Sequence, residues 1–567
     1  MAVKRANFEV QIMRDGRWLQ HSLAAEESEA LTEAKKLLAD KRCPGARVVR
    51  NWLRPDGKFV EKEIFAKTQV VVDETPVRIV MIEEPPPKCE VTTDYYGPQS
   101  RAIANRLLRN YMEKVYVTPT EIMHNYKELK RLQDRENLLP SAVDRVAFLQ
   151  SKVEGSDARA RRDEIFKSVD QMSAKARRAE AMKLPALNGR FKDMYDRVAT
   201  LSNEPTEADY LAMVVLARDL VDMRNWVGKL ERLCKLAMQE GDSHSLALLD
   251  GVIADVLGSN VVQEVLGFQS SLAAAICSML DLVEGRLSTA NSEAGESADL
   301  LNALFREHKL PQSRLCLIDR AHRQVRSANP LYRNDPSRER EAFDKVLARM
   351  MGPDAPLYGA DTAEALTLRS ARMLEEGGIT GRRLAIGATF NALPDLATGV
   401  TYLCDLASSP LGVEQTAEIA NHFQRILACP SLARFCERSL TPKEMMQRAS
   451  AAHRAVARSP FPAAIKEKLA SHIDIMLESY LLEEQVIEKL DHQDSSLRDR
   501  AVRLVQFCAA GVLPEGRALT RARERILSLL RQPNFDAHFV DGIGDPDRAQ
   551  KALRDFHMLL VRAGFGR

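Results

Sequence analysis

The stretch Val77–Pro98, VRIVMIEEPPPKCEVTTDYYGP, separates the strand-rich beginning of this 567-residue chain from a long helix-rich remainder. Its three consecutive prolines, at positions 85–87, lack backbone N–H groups and favour an extended, stiff connector. The sequence therefore predicts three parts: a small module over residues 1–84, a proline-rich linker over residues 85–97, and a helical region from residue 98 onward.

The small module shows strand alternation on both sides of one helical segment. Apolar residues alternate over Phe8–Ile12, and the following Asp15-Gly16 pair is typical of a hairpin turn. A helical period covers Ala30–Leu38, and Pro55-Asp56-Gly57 indicates a second turn before extended structure resumes. The predicted order is β-β-α-β-β, with one sheet face under the helix and the other face free. Two further β-branched runs either extend this sheet or form a separate ribbon: Val70–Val72 and Val77–Ile82.

From residue 98 to the end, almost every segment has the apolar period of an amphipathic helix of about ten to twenty residues. In Ala549–Ala563 the apolar residues share one face and the charged residues share the other. Thr441, followed three residues later by Glu444, has the sequence of a helix capping box. We therefore predict a mainly α protein, in which a small N-terminal ββαββ α+β module precedes stacked antiparallel helices. These helices form either an irregular solenoid or two helical domains, 98–327 and 328–567.

Composition and charge restrict the partners that the chain can attract. It has 81 Lys and Arg against 79 Asp and Glu, a formal net charge of +2, so a nucleic acid or an anionic membrane needs a local basic patch. The apolar run Val261–Leu282 contains Glu264 and Asp281, which predicts a buried helix and no membrane span. Nine cysteines without a CxxC pair, and an N-terminus without a signal-peptide core, predict a cytoplasmic protein.

No catalytic or cofactor motif occurs in the sequence. It has no HExxH zinc motif, no Gly-Lys-Ser or Gly-Lys-Thr phosphate loop, and no Gly-x-Ser-x-Gly nucleophile elbow. We therefore predict no catalytic residue, no metal site and no cofactor. An enzyme whose site is assembled from distant helices stays open as an alternative.

Two arginine stripes and the tips of the N-terminal module supply the candidate contact residues. Arginines that recur every third or fourth residue follow one side of a helix and can meet phosphate or an acidic partner. Glu515 and Glu524, beside one stripe, favour the plainer interpretation of a solvated, mixed-charge face. Aromatic and arginine side chains dominate binding hot spots, although tryptophans in a small domain are usually core. The candidates are Arg320, Arg323 and Arg326; Arg517, Arg521 and Arg525; and Arg17, Trp18 and Trp52.

Three functions are compatible with this pattern. The leading hypothesis is a non-enzymatic interaction or regulatory scaffold that offers an extended helical surface to a protein partner. The second is nucleic-acid association through the arginine stripes, against which the lack of interleaved aromatic residues counts. The third is the enzyme with a site formed from distant helices.

Overall fold

Alternating apolar residues form a four-stranded antiparallel sheet in the N-terminal unit, residues 1–78. Its elements are β1 Asn7–Arg14, β2 Arg17–Ala24, α1 Glu27–Ala39, β3 Gly45–Leu53 and β4 Phe59–Thr68. The strands pair in the order β2-β1-β3-β4, and α1 packs Ala30, Ala34 and Leu37 on the same core as Val10 and Val48. The ββαββ order predicted from the sequence is confirmed.

The computed structural model describes residues 7–14, 17–39, 45–53, 59–68, 77–135, 137–202, 204–352, 355–374 and 377–565. Both predicted turns, Asp15-Gly16 and Pro55-Asp56-Gly57, lie outside these residues, as does Val70–Val72. Val77–Ile82 is described and forms no strand. The prediction that this second run widens the sheet or makes a ribbon is therefore wrong.

The sheet face opposite the core residues carries a polar network. Arg47 Nε donates to Gln11 Oε1 at 2.6 Å, and Gln11 Nε2 donates to Glu9 Oε1 at 2.8 Å. Asn51 Nδ2 donates to the other Glu9 oxygen at 3.1 Å. The period-two alternation of the strands thus gives one apolar and one polar face, as in other antiparallel sheets covered on one side.

Residues 79–567 form the second unit, which is mainly helical. The first half of its helices are α2 Pro98–Leu107, α3 Arg109–Val115, α4 Pro119–His124, α5 Tyr126–Gln133, α6 Leu138–Glu154, α7 Ala158–Glu180, α8 Phe191–Ala199, α9 Pro205–Val221, α10 Trp226–Met238, α11 Ser243–Leu257, α12 Val261–Leu266, α13 Leu272–Val283, α14 Gly295–Arg306 and α15 Pro311–Arg326. The others are α16 Glu339–Met350, α17 Ala360–Met373, α18 Gly378–Ala392, α19 Leu396–Ala407, α20 Pro410–Glu414, α21 Thr416–Leu427, α22 Leu432–Phe435, α23 Pro442–Arg458, α24 Ala463–Glu483, α25 Val486–Leu490, α26 Leu497–Ala509, α27 Arg517–Leu530, α28 Phe535–Phe539 and α29 Pro546–Leu560. The prediction of a mainly α fold with a small N-terminal α+β module is confirmed.

One hydrophobic core runs through the helical unit from Ala179 to Ala563. The connection between α15 and α16 is fixed to this core by Arg369 of α17. Arg369 Nη1 donates to the carbonyl oxygens of Ser327, at 2.9 Å, and Asn329, at 2.8 Å. The helices on both sides of residue 328 therefore share a continuous core.

The apolar run Val261–Leu282 belongs to two helices, α12 and α13, so the prediction of a single buried helix is wrong. Gly267 ends α12 with a positive φ of 67°, and a Cβ atom there would lie 1.9 Å from Asn291 O. Ser271 then begins α13 by accepting a hydrogen bond from Ala274 N at 3.1 Å. Among the described helices, none is long and apolar enough to cross a membrane.

Buried carboxylates on one helix cap the first turns of helices elsewhere in the chain. Asp250 of α11 accepts hydrogen bonds from Gln312 N, at 2.6 Å, and Ser313 N, at 2.9 Å, where α15 begins. Asp474 of α24 accepts a hydrogen bond from Arg517 N at 2.6 Å, where α27 begins. The first turn of a helix leaves backbone N–H groups unpaired, so these carboxylates fix which helices pack together.

Replacing Asp250 by alanine is expected to lower the free energy of unfolding by about 2–4 kcal/mol, because two N–H groups lose their charged acceptor. Urea unfolding followed by circular dichroism measures this loss. Asp250→Asn keeps one acceptor oxygen and is expected to lose less. Asp163→Ala, on an exposed face of α7, is the matched control. An equal loss in Asp250→Ala and Asp163→Ala would contradict the capping role.

Candidate anion-binding cleft

Five arginines converge on a cleft of about 570 Å³ in the helical unit. The cleft lies between α2, α11 and α15, and the extended residues Val80–Ile82 line its margin. A volume of this size is typical of ligand sites in proteins. The arginines are Arg101, Arg106 and Arg109, from α2 and the start of α3, and Arg320 and Arg323, from α15.

Small residues on α11 allow the arginines to approach its backbone. Gly251, Ala254 and Gly258 follow one another at about one helical turn and line the cleft. A Cβ atom on Gly251 would lie 2.5 Å from Arg101 Nη2. The Arg101 guanidinium therefore occupies space that a larger residue at position 251 would take.

Arg320 is buried, and it has no ion-paired carboxylate among the described residues. Its Nη1 donates to the carbonyl oxygen of Leu257, at 3.1 Å, and to that of Ser259. Burial, and then the nearby charge of Arg109, lower the pKa of Arg320 to about 10. The guanidinium therefore stays charged at neutral pH, in surroundings where a bound anion would stabilise it.

Arg101 and Asp255 form the buried polar part of the cleft. Arg101 Nε lies 3.3 Å from Asp255 Oδ1 but outside hydrogen-bond geometry, so this buried N–H is unpaired. The other Asp255 oxygen accepts hydrogen bonds from Thr120 N, at 3.2 Å, and Thr120 Oγ1, at 2.6 Å. Burial raises the pKa of Asp255, and the charge of Arg101 opposes that rise. The Asp255 carboxylate thus lies beside the charge of Arg101 and also accepts hydrogen bonds from the first turn of α4.

The other three arginines are partly exposed and lie next to carboxylates. Exposed ion pairs contribute little to stability, so an incoming anion can replace these carboxylates. Burial, and then the nearby charge of Arg106, lower the pKa of Arg323 to about 10. The pairs are Arg106 Nη1 with Glu84 Oε2 at 3.5 Å, Arg109 Nε with Glu113 Oε1 at 2.7 Å, and Arg323 with Asp319.

The cleft combines excess positive charge with exposed apolar side chains. Its five arginines lie beside four carboxylates, the lining Asp255 and Asp319 and the neighbouring Glu84 and Glu113, which leaves an excess of one positive charge. Met81 and Leu315, at the margin, are 63% and 65% exposed. No aromatic residue occurs among the described residues that line the cleft. The arrangement can hold an anionic group and contact apolar atoms beside it, but it has no platform on which a base would stack.

The first predicted stripe is divided by the structure. Arg320 and Arg323 both line the cleft. Arg326 instead pairs with Glu364 of α17, its Nη2 lying 3.1 Å from Glu364 Oε2. Only the first two members of this stripe therefore meet at a common site.

The second predicted stripe, on α27, lines none of the described clefts around α2 and α15. Arg525 pairs with the buried carboxylate of Asp491, which Arg500 Nε also contacts at 2.7 Å. The Arg517 side chain is exposed, and Arg521 is half-buried. The structure thus gives Arg525 an internal partner and leaves Arg517 on the surface.

The two tryptophan candidates are half-buried in the N-terminal unit. The Arg47 guanidinium lies 4.8 Å from the ring centre of Trp18, and that of Arg50 lies 5.5 Å from the ring centre of Trp52. Each ring is therefore covered on one side by an arginine of β3 in a cation–π contact. The side chain of Arg17 lies outside the part of the chain that the structure describes.

The sequence reasoning missed Arg101, Arg106 and Arg109. Arg106 and Arg109 have the same three-residue spacing as Arg320 and Arg323, so a local signal was present. The convergence itself is a tertiary effect: Asn105 Nδ2 of α2 donates to Asp255 O of α11 at 2.7 Å, across 150 residues of sequence. No local sequence pattern predicts such a contact.

The protein is thus mainly helical, with a small α+β module and an arginine-lined cleft large enough for a ligand. No protein-family model matches the chain, and no curated protein or solved structure matches it either. Within the described residues, no group of three or more His, Cys, Asp or Glu side chains is placed to hold a metal ion. The proposal for function therefore rests on the cleft.

Proposed function

We propose that this protein is a non-enzymatic, cytoplasmic interaction protein that binds an acidic or phosphorylated segment of a partner protein in the arginine-lined cleft. The observation that carries the proposal is Arg320, which is buried without a carboxylate partner among the described residues, in a cleft shared with four other arginines. Guanidinium groups bind carboxylates and phosphates through parallel hydrogen bonds. The exposed Met81 and Leu315 offer apolar contacts that a peptide can use and a free ion cannot.

The cleft favours a protein partner over a nucleic acid. Binding to a nucleic-acid backbone uses basic side chains spread along an extended surface, whereas these five arginines line one cleft of ligand size. Single-stranded nucleic acid also uses aromatic stacking platforms, which the described lining does not offer. The eight described cysteines are all free, which supports the proposed cytoplasmic location.

Fluorescence anisotropy with the full-length protein tests the proposal. The labelled probes are a phosphoserine peptide library, a glutamate-rich peptide of the same length, and a single-stranded DNA of similar charge. We expect at least one peptide probe to bind saturably at about 0.15 M salt, and the DNA to bind more weakly. DNA binding tighter than that of both peptides would favour the nucleic-acid alternative. The absence of saturable peptide binding would reject the proposal.

A further inference from the structure

A second cavity, of about 150 Å³, lies in the helical unit, is partly open to its surface, and is almost entirely apolar. Residues of α2, α4, α5, α6 and α7 line it, together with Pro86 and Pro87 of the extended segment that precedes α2. Ile103, Leu132 and Val143 are part of its wall. Protein interiors are packed as densely as organic crystals, so an apolar void of this size is unusual.

The polar side chains at the edge of the cavity already have partners within the protein. Gln150 accepts a hydrogen bond from Arg161 Nε at 2.8 Å and donates to the carbonyl oxygens of Pro86 and Pro87. Arg161 Nη1 donates to Glu164 at 2.8 Å. The remaining polar side chains are Tyr95, hydrogen bonded to Ser168, and Cys89 and Ser100, whose Sγ and Oγ atoms lie 3.1 Å apart. Water or a charged ligand would find no free partner among these groups.

The geometry points to a binding site for a neutral, apolar ligand of about the size of benzene. A dry apolar cavity of about 150 Å³ takes up benzene or xenon in another protein. A carboxylate or phosphate would lose its hydration here without gaining a counter-ion, because Arg161 is already paired with Glu164. The class of ligand is therefore a small hydrocarbon or the apolar end of a larger neutral molecule.

The extended segment over residues 82–89 contributes Pro86, Pro87 and Cys89 to the wall of the cavity. It forms neither helix nor strand, and its carbonyl oxygens are held by side chains of α6 and α7. Such hydrogen bonds can break and re-form without unfolding a helix. They join Arg145 Nε to Ile82 O at 2.8 Å, Gln150 Nε2 to Pro87 O at 2.9 Å, and Arg161 Nη2 to Cys89 O at 3.1 Å.

This cavity is separate from the arginine-lined cleft, although α2 contributes to both. Ile103 and Leu107 of α2 line the cavity, whereas Arg101 and Arg106 line the cleft. Binding of an apolar ligand can therefore be measured whether or not the cleft binds a peptide.

Thermal unfolding of the full-length protein with and without saturating benzene tests the site. We expect benzene to raise the Tm of the wild type by at least about 1 °C, because a ligand that binds only the folded state stabilises it. Ala142 lines the cavity, and leucine at this position occupies the space of the ligand. Ala142→Leu is therefore expected to melt no lower than the wild type and to show no benzene-dependent rise.

Ala237→Leu, on α10, is the matched control. Ala237 is buried in the main core of the helical unit and does not line the cavity, so this variant is expected to lower the Tm and keep the benzene-dependent rise. If Ala142→Leu does not fold, Ala104→Leu on α2 fills the same cavity from the other side. A wild type without the benzene-dependent rise, or a cavity-filled variant with an undiminished one, would overturn the inference.

Discussion

Replacing Lys229 by methionine is expected to lower the free energy of unfolding by about 3–5 kcal/mol, because Glu121 is left buried without a cation. Lys229 Nζ donates to Glu121 Oε1, and both side chains are 0% exposed. The other Glu121 oxygen accepts a hydrogen bond from Thr118 N at 2.8 Å, where α4 begins. The loss therefore combines an unpaired buried charge with a weakened helix start. Urea unfolding followed by circular dichroism measures it.

Two further variants separate the charge from the packing of this pair. Lys229→Met combined with Glu121→Gln removes both charges and is expected to recover at least half of the lost stability. Lys235→Met breaks ion pairs with Glu231 and Glu296, in which all three side chains are at least 35% exposed, and it is expected to cost less than about 1 kcal/mol. A double variant as unstable as Lys229→Met alone would show that the charge of Glu121 is not the cause.

The stability of Lys229→Met is also expected to depend on pH. Burial raises the pKa of Glu121, and in the wild type the charge of Lys229 opposes that rise. Without the lysine, folded Glu121 keeps a proton that the unfolded chain releases. The variant therefore loses stability relative to the wild type as pH rises above the usual carboxyl pKa. Unfolding at about pH 5 and about pH 8 measures this, and an equal difference at both values would contradict it.

Reversing two charges in the cleft, Arg106→Glu with Arg323→Glu, is expected to weaken binding of the best peptide probe by at least about 100-fold. Both side chains line the cleft, and each reversal places a repelling carboxylate where the structure has an anion-binding guanidinium. The new carboxylates would lie beside Glu84 and Asp319, but these groups are partly exposed and their repulsion is screened by solvent, so the Tm is expected to fall only modestly. Fluorescence anisotropy gives the affinity, and thermal unfolding confirms the fold.

The matched control makes the same charge change on α27, as Arg517→Glu with Arg521→Glu. These arginines do not line the cleft, so the peptide affinity is expected to stay within about threefold of the wild type. Affinity that falls equally in both double variants would indicate attraction by the overall charge, and it would contradict a specific site.

Local sequence signals were sufficient for most of the fold. Thr441 and Glu444 form the predicted capping box, with Thr441 N donating to Glu444 Oε2 at 2.8 Å. The break inside Val261–Leu282 was missed because Gly267 stands in an apolar run, and its backbone conformation is fixed by close contact with Asn291. The cap of α15 by Asp250 joins residues more than sixty positions apart, so no window of sequence contains it. The sequence therefore did not predict the features that depend on contacts between residues far apart in the chain.

For the candidate site, too, the sequence prediction was only partly right, and the geometry of α15 explains why. Residues three apart on an α-helix differ by about 60° around its axis, so Arg320 and Arg326 differ by about 120°. Arginines at this spacing therefore cannot all face one surface, and Arg326 pairs with Glu364 outside the cleft. Sequence reasoning identified two of the five cleft arginines and could not identify the helices that bring the other three beside them.

A crystal structure of the full-length protein with the tightest-binding phosphoserine peptide tests the central proposal most directly. We predict that the phosphate lies within hydrogen-bond distance of Arg320 and of Arg106 or Arg323, with an apolar residue of the peptide against Met81 or Leu315. A peptide bound elsewhere, for example beside Trp18 and Arg47 on the N-terminal sheet, with the arginine-lined cleft left empty, would contradict it.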